Sequence, residues 1–164
     1  MALTFDEIIF KVKQLDKSGR DQEAMSLANE LVARHSDKAQ AWLLRGHLHA
    51  LGKDYAGASA DLTRAIEINA LEPHFFLSRG KYRFLGGENA LAVEDFSKGL
   101  ELSDYHRNDY YRETLYFWRA EALLKLGRRS EALSDLAHVR DDFRFWTYEL
   151  RTKADLLSDC RNEG

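Results

Sequence analysis

The chain is short of several things. It has one cysteine, Cys160, among 164 residues, so no internal disulfide can form, and a reducing, cytoplasmic setting is expected. It has one proline, Pro73, while alanine and leucine are abundant, which disfavours a many-turned β architecture and favours long helices. It has no excess of either charge: 24 Lys and Arg against 27 Asp and Glu leave a net charge of -3. No segment is dominated by basic residues, so the electrostatic footprint of a nucleic-acid binder is missing. It also lacks long apolar runs. The opening stretch MALTFDEIIFKVKQLDKSG carries Asp6, Glu7 and spaced lysines, unlike a signal peptide, and no membrane partner is expected.

Catalytic and metal-binding signatures are wanting too. There is no GxSxG, HExxH or GxxxxGK[ST] sequence, and the six histidines include no i, i+4 pair. No enzyme activity, cofactor or metal is expected.

What is there is repetition. AWLLRGHLHALGKDYAGASADLTRAIEI (41–68) lies over FFLSRGKYRFLGGENALAVEDFSKGLEL (75–102) at an offset of 34, with Arg45-Gly46 on Arg79-Gly80 and Ala58 on Ala92. Moving the frame back by 34 places Ala24 on Ala58 and Ile8, Val12 and Leu15 at apolar positions of a first copy. YFWRAEALLKLGRRSEALSDLAHV (116–139) is a fourth copy, displaced by 40 rather than 34, so six residues are inserted ahead of it. Apolar residues recur at steps of three and four twice per copy, separated by DKSGRDQ, GKD, GGEN and GRRS, so each copy reads as a helical hairpin. The adjacent glycines Gly86 and Gly87 are the bend of the third hairpin, since a phosphate loop has no reason to recur in every repeat. Gly46, Gly80 and Ala120 on the first helices, with Ala24, Ala58, Ala92 and Ala132 on the second, allow close backbone approach.

This pattern resembles the tetratricopeptide repeat family: a 34-residue period, an aromatic residue four before a Gly or Ala, an alanine twelve later and a large apolar residue four beyond. The chain departs from it at Val12, at Gly99 and in having only Pro73, out of phase, between repeats. The expected fold is all-α, a right-handed α-solenoid of four such hairpins in a single domain. The repeats span about 5–38, 39–72, 73–106 and 113–146, with a capping helix over about 147–160, where Leu150, Ala154 and Leu157 keep the helical phase.

Two further readings concern the surface. Arg45, Arg79 and Arg119 share one phase and Asp61, Asp95 and Asp135 another, sixteen residues on, which suggests arginine–aspartate pairs tying helices together rather than an anion site. The resemblance implies a concave groove lined by the first helices, and Ile9, Lys13, Leu43, His47, Leu77, Lys81, Phe84, Phe117 and Glu121 stand at or near those phases. Such a groove, apolar with cationic spots, implies a protein or peptide partner. Leu43 and Leu77 could equally pack on neighbouring helices. The family variant that clamps chaperone tails is disfavoured, because Ile9, Lys13, Leu44, His74 and Ser78 do not carry its residue set. The insertion, with Tyr105, His106, Tyr110 and Tyr111, is either a partner-specific lip or packing between hairpins. Adaptor, chaperone and antagonist roles all fit, homo-oligomerisation stays open, and a self-assembling scaffold or a small-molecule sensor is the alternative.

Overall fold

The computed structural model describes residues 3–106, 111–146 and 150–162. They form nine helices and one pair of three-residue strands, so the all-α expectation holds. The chain divides into two compact units, Met1–Phe75 and Phe76–Gly164.

The first unit holds α1 (Phe5–Lys17), α2 (Asp21–Arg34), α3 (Ala39–Leu51) and α4 (Tyr55–Ile68). Thr4 starts α1 through a reciprocal box: its hydroxyl accepts from the Glu7 amide, and its own amide donates to Glu7 Oε2 at 2.8 Å. Asp54 caps α4 by accepting from the Gly57 amide at 2.9 Å. Ile8, Val12, Ala24, Ala28, Leu31 and Ala41 are buried together as one core. Ala58, Leu62 and Ala65 bury the inner face of α4.

The second unit holds most of α5 (Pro73–Leu85), then α6 (Asn89–His106), α7 (Arg112–Lys125), α8 (Arg129–Leu136), β1 (Arg144–Trp146), β2 (Leu150–Thr152) and α9 (Lys153–Asn162). Its core gathers Ala92, Phe96, Leu115, Phe117, Trp118 and Leu156. Trp118 meets Phe84 edge-on at 5.4 Å and stacks near Phe96 at 6.5 Å.

Each hairpin closes in the same way. Gly19, Gly87 and Gly127 adopt φ of 69°, 85° and 73°, and the amide after each reaches back five residues, as from Glu88 to the Arg83 carbonyl at 2.8 Å. The second turn has Lys53 at this place, with φ 61°.

Two details depart from a strict repeat. Most of the six inserted residues lengthen α6, to 18 residues against 14 in α2 and α4, and α7 begins at Arg112, one residue ahead of its repeat phase. No breaker falls between Gly99 and His106, and Leu100, Leu102 and Ser103 keep a buried stripe. The C-terminal helix begins at Lys153, not near 147, because Leu150 lies in β2 and Thr152 and Asp155 cap each other reciprocally at the start of α9.

Candidate functional site

The recurrent arginines are internal clamps. Arg45 grips Asp61 with two bonds of 2.8 and 2.6 Å, Arg79 grips Asp95 at 3.0 and 2.7 Å, and Arg119 grips Asp135 at 2.7 and 2.6 Å. Each guanidinium also lies over the ring three residues before it, at 5.0 Å for Trp42, 5.7 Å for Phe76 and 5.6 Å for Tyr116. The remaining nitrogen of Arg45 reaches Asn29 on α2, and that of Arg119 reaches Ser97 on α6, so each of these arginines ties three helices. Hydrogen bonding to the aspartate holds Arg45 and Arg119 above the usual guanidinium pKa. The three aspartates are buried, and Asp95 also accepts from Arg83 at 2.8 Å. Each of the recurrent pairs joins the two helices of its hairpin.

The groove positions separate by unit. In the first, Ile9 is half-buried against the core while Lys13 is exposed on α1; Leu43 is half-buried and His47 exposed on α3. These positions combine apolar and basic side chains. In the second unit the corresponding positions are engaged. Leu77 joins the core, and Phe84 is packed on Trp118. The Lys81 ammonium sits 5.7 Å from the Trp118 ring, half-buried, and burial pulls its pKa down. Phe117 is wholly buried, its ring 5.2 Å from that of Phe143.

Glu121 is buried as well. Its Oε1 lies 3.4 Å from Arg151 Nε, while Oε2 has no hydrogen-bond partner among the described residues. Burial raises its pKa, opposed by Arg151 and Lys125. Arg151 in turn donates to Asp159 at 2.7 Å. Nothing in the local spacing of α7 announces Phe143 or Arg151. The signal lies in the segment after α8, which carries aromatic residues where a solvated linker would be polar.

In the insertion, Tyr105 is 78% exposed and Tyr111 packs against the core of its unit. The side chain of His106 and all of Tyr110 lie outside the described residues. A cleft of about 480 Å³ in the first unit, lined by Met25, Leu48 and Leu51 together with Asp16 and Asp21, was not visible from the repeat phases. Among the described residues no group of three His, Cys, Asp or Glu side chains could hold a metal ion. No described helix is long and apolar enough to cross a membrane.

Residues 39–70 match the family model for the tetratricopeptide repeat. No curated protein matches the chain by sequence. Among solved structures, MamA is similar at a TM-score of 0.72 and 18% identity, over 82% of this chain and 75% of its own. YrrB, described as a TPR protein with an unusual peptide-binding site, gives 0.66 at 20% identity, over 80% and 65%. The TPR2B domain of yeast Sti1, in complex with pHsp70, gives 0.67 at 17% identity, over 72% and 94%. The resemblance read from the residues therefore holds: one repeat matches the family, and the chain has its fold.

Proposed function

We propose, from the premise of a chain with the tetratricopeptide-repeat fold, that it is a non-enzymatic interaction module that holds a segment of a partner protein against the first helices of its hairpins. The observation that carries this reading is the face of α1 and α3 in the first unit. Leu43 is only partly buried there, next to the exposed His47, with the half-buried Ile9 and the exposed Lys13 on α1. Apolar surface held open on a rigid scaffold costs free energy in water and is covered with little ordering cost on the scaffold's side. The peptide-holding neighbours YrrB and the Sti1 domain support the same direction.

A fitting segment presents apolar side chains to Ile9 and Leu43 and acidic groups to Lys13 and His47. In the second unit Phe117 and Glu121 are already covered by Phe143 and Arg151, so a partner touching them must displace that segment. An adaptor, a dedicated chaperone and an antagonist of one protein all use such a face, and the lone Cys160 suits a cytoplasmic setting.

The test is affinity capture with the wild type and with Leu43→Asp/His47→Asp. The double variant is expected to lose the partner while circular dichroism and melting stay native. Undiminished capture would place the binding face elsewhere.

A further inference from the structure

We propose that the outward face of α1 docks the α1 of a second copy of this chain, the two helices packing antiparallel about Phe10.

The face carries an unusual load for exposed helix. Phe10 is 65% exposed and Leu3 38% exposed, and with Asp6, Glu7, Lys11 and Gln14 they line a shallow recess. The repeat phase says what this position does elsewhere. One step along, Phe10 becomes Leu44, half-buried on the core of the first unit. Two steps along it becomes the buried Ser78, and three steps along Trp118, wholly buried between Phe84 and Phe96 of the hairpin before it. On the other three first helices the position is thus wholly or partly buried, most fully where it carries a large ring. On α1 no described element covers Phe10.

Charge selects the occupant. At about 100° per residue, Asp6 and Lys13 fall on the same flank of Phe10, one before it and one after it. Neither forms an ion pair among the described residues. When two copies of α1 lie antiparallel about Phe10, Asp6 of each stands opposite Lys13 of the other, and the ring meets its own equivalent. A parallel arrangement reverses the flanks and would set Asp6 of each copy opposite Glu7 of the other, acid against acid. The surface is thus self-complementary under a two-fold axis, as an isologous dimer requires. One 13-residue helix per copy supplies an interface at the low end of the size range, below roughly 1,200 Å² in total, so the dimer is weak and concentration-dependent.

Sedimentation velocity of the full chain from about 10 μM to about 1 mM, the range a low-end interface needs, tests this. The wild type is expected to pass from monomer to dimer. Phe10→Lys, which keeps helix propensity and faces Asp6 and Glu7, should weaken association at least about tenfold. Asp6→Lys alone should weaken it, and Asp6→Lys/Lys13→Asp should restore it, since the swapped charges again face each other. Circular dichroism verifies that each variant is folded. A wild type monomeric throughout, a Phe10→Lys protein that dimerises as before, or a double swap no better than the single change would each overturn the proposal. Leu43 and His47 are untouched in these variants, so a failure here is separate from a failure of partner capture.

Discussion

At the bend between α5 and α6, Gly87 holds φ at 85° with nothing near the place a β-carbon would take. Gly87→Ala therefore meets no clash, and its cost is that of the left-handed backbone alone, about 1 kcal/mol. Lys53 occupies the same place in the second turn without glycine's freedom. Lys53→Gly should raise the thermal midpoint, offset in part by the extra chain entropy glycine brings to the unfolded state. A calorimetric scan of both variants should show opposite signs. Glu121 sets a third expectation at this scale. Burial lifts its folded pKa above the unfolded value, so its contribution is most favourable below the unfolded pKa and is lost as pH rises through the folded one. Glu121→Gln removes that dependence. The variant's melting temperature should exceed the wild type's at neutral pH by a margin that shrinks as the solution is acidified.

Between helices, small residues and buried pairs decide the fit. A β-carbon on Gly80 would stand 2.7 Å from the Phe96 ring and 3.1 Å from Asp95 Cβ, and Phe96 is wholly buried and cannot swing away. Gly80→Ala is expected to cost about 1 to 3 kcal/mol by overpacking. Asp95→Asn leaves Arg79 and Arg83 largely buried without their carboxylate and should cost about 3 kcal/mol in urea unfolding. The exposed Arg128–Glu131 pair at the start of α8 provides the control: Glu131→Gln should leave the midpoint unmoved. These relations were legible in advance because Gly80, Arg79 and Asp95 recur at fixed phases, and recurrence converts one ambiguous spacing into a packing rule. The end of the chain had no second copy to read against. Leu150, Ala154 and Leu157 do share a helical phase, yet Leu150 pairs in a strand and Leu156 fills the core. The reciprocal Thr152–Asp155 cap, a local bond, overrode the periodicity.

Across the molecule, the expectation of a uniform groove meets two differently dressed units. The phases that place Leu43 and His47 on α3 also place Phe117 and Glu121 on α7, where Phe143 and Arg151 cover them. Phase tells which side of a helix a residue takes; it does not tell what another segment lays upon it. A photo-reactive side chain at position 47 of α3 tests the central claim most directly, compared with the same group at the exposed Ala60 of α4. With the captured partner bound, crosslinks should form from position 47 and not from position 60. Crosslinking from position 60 with none from position 47 would contradict binding on the first-helix face.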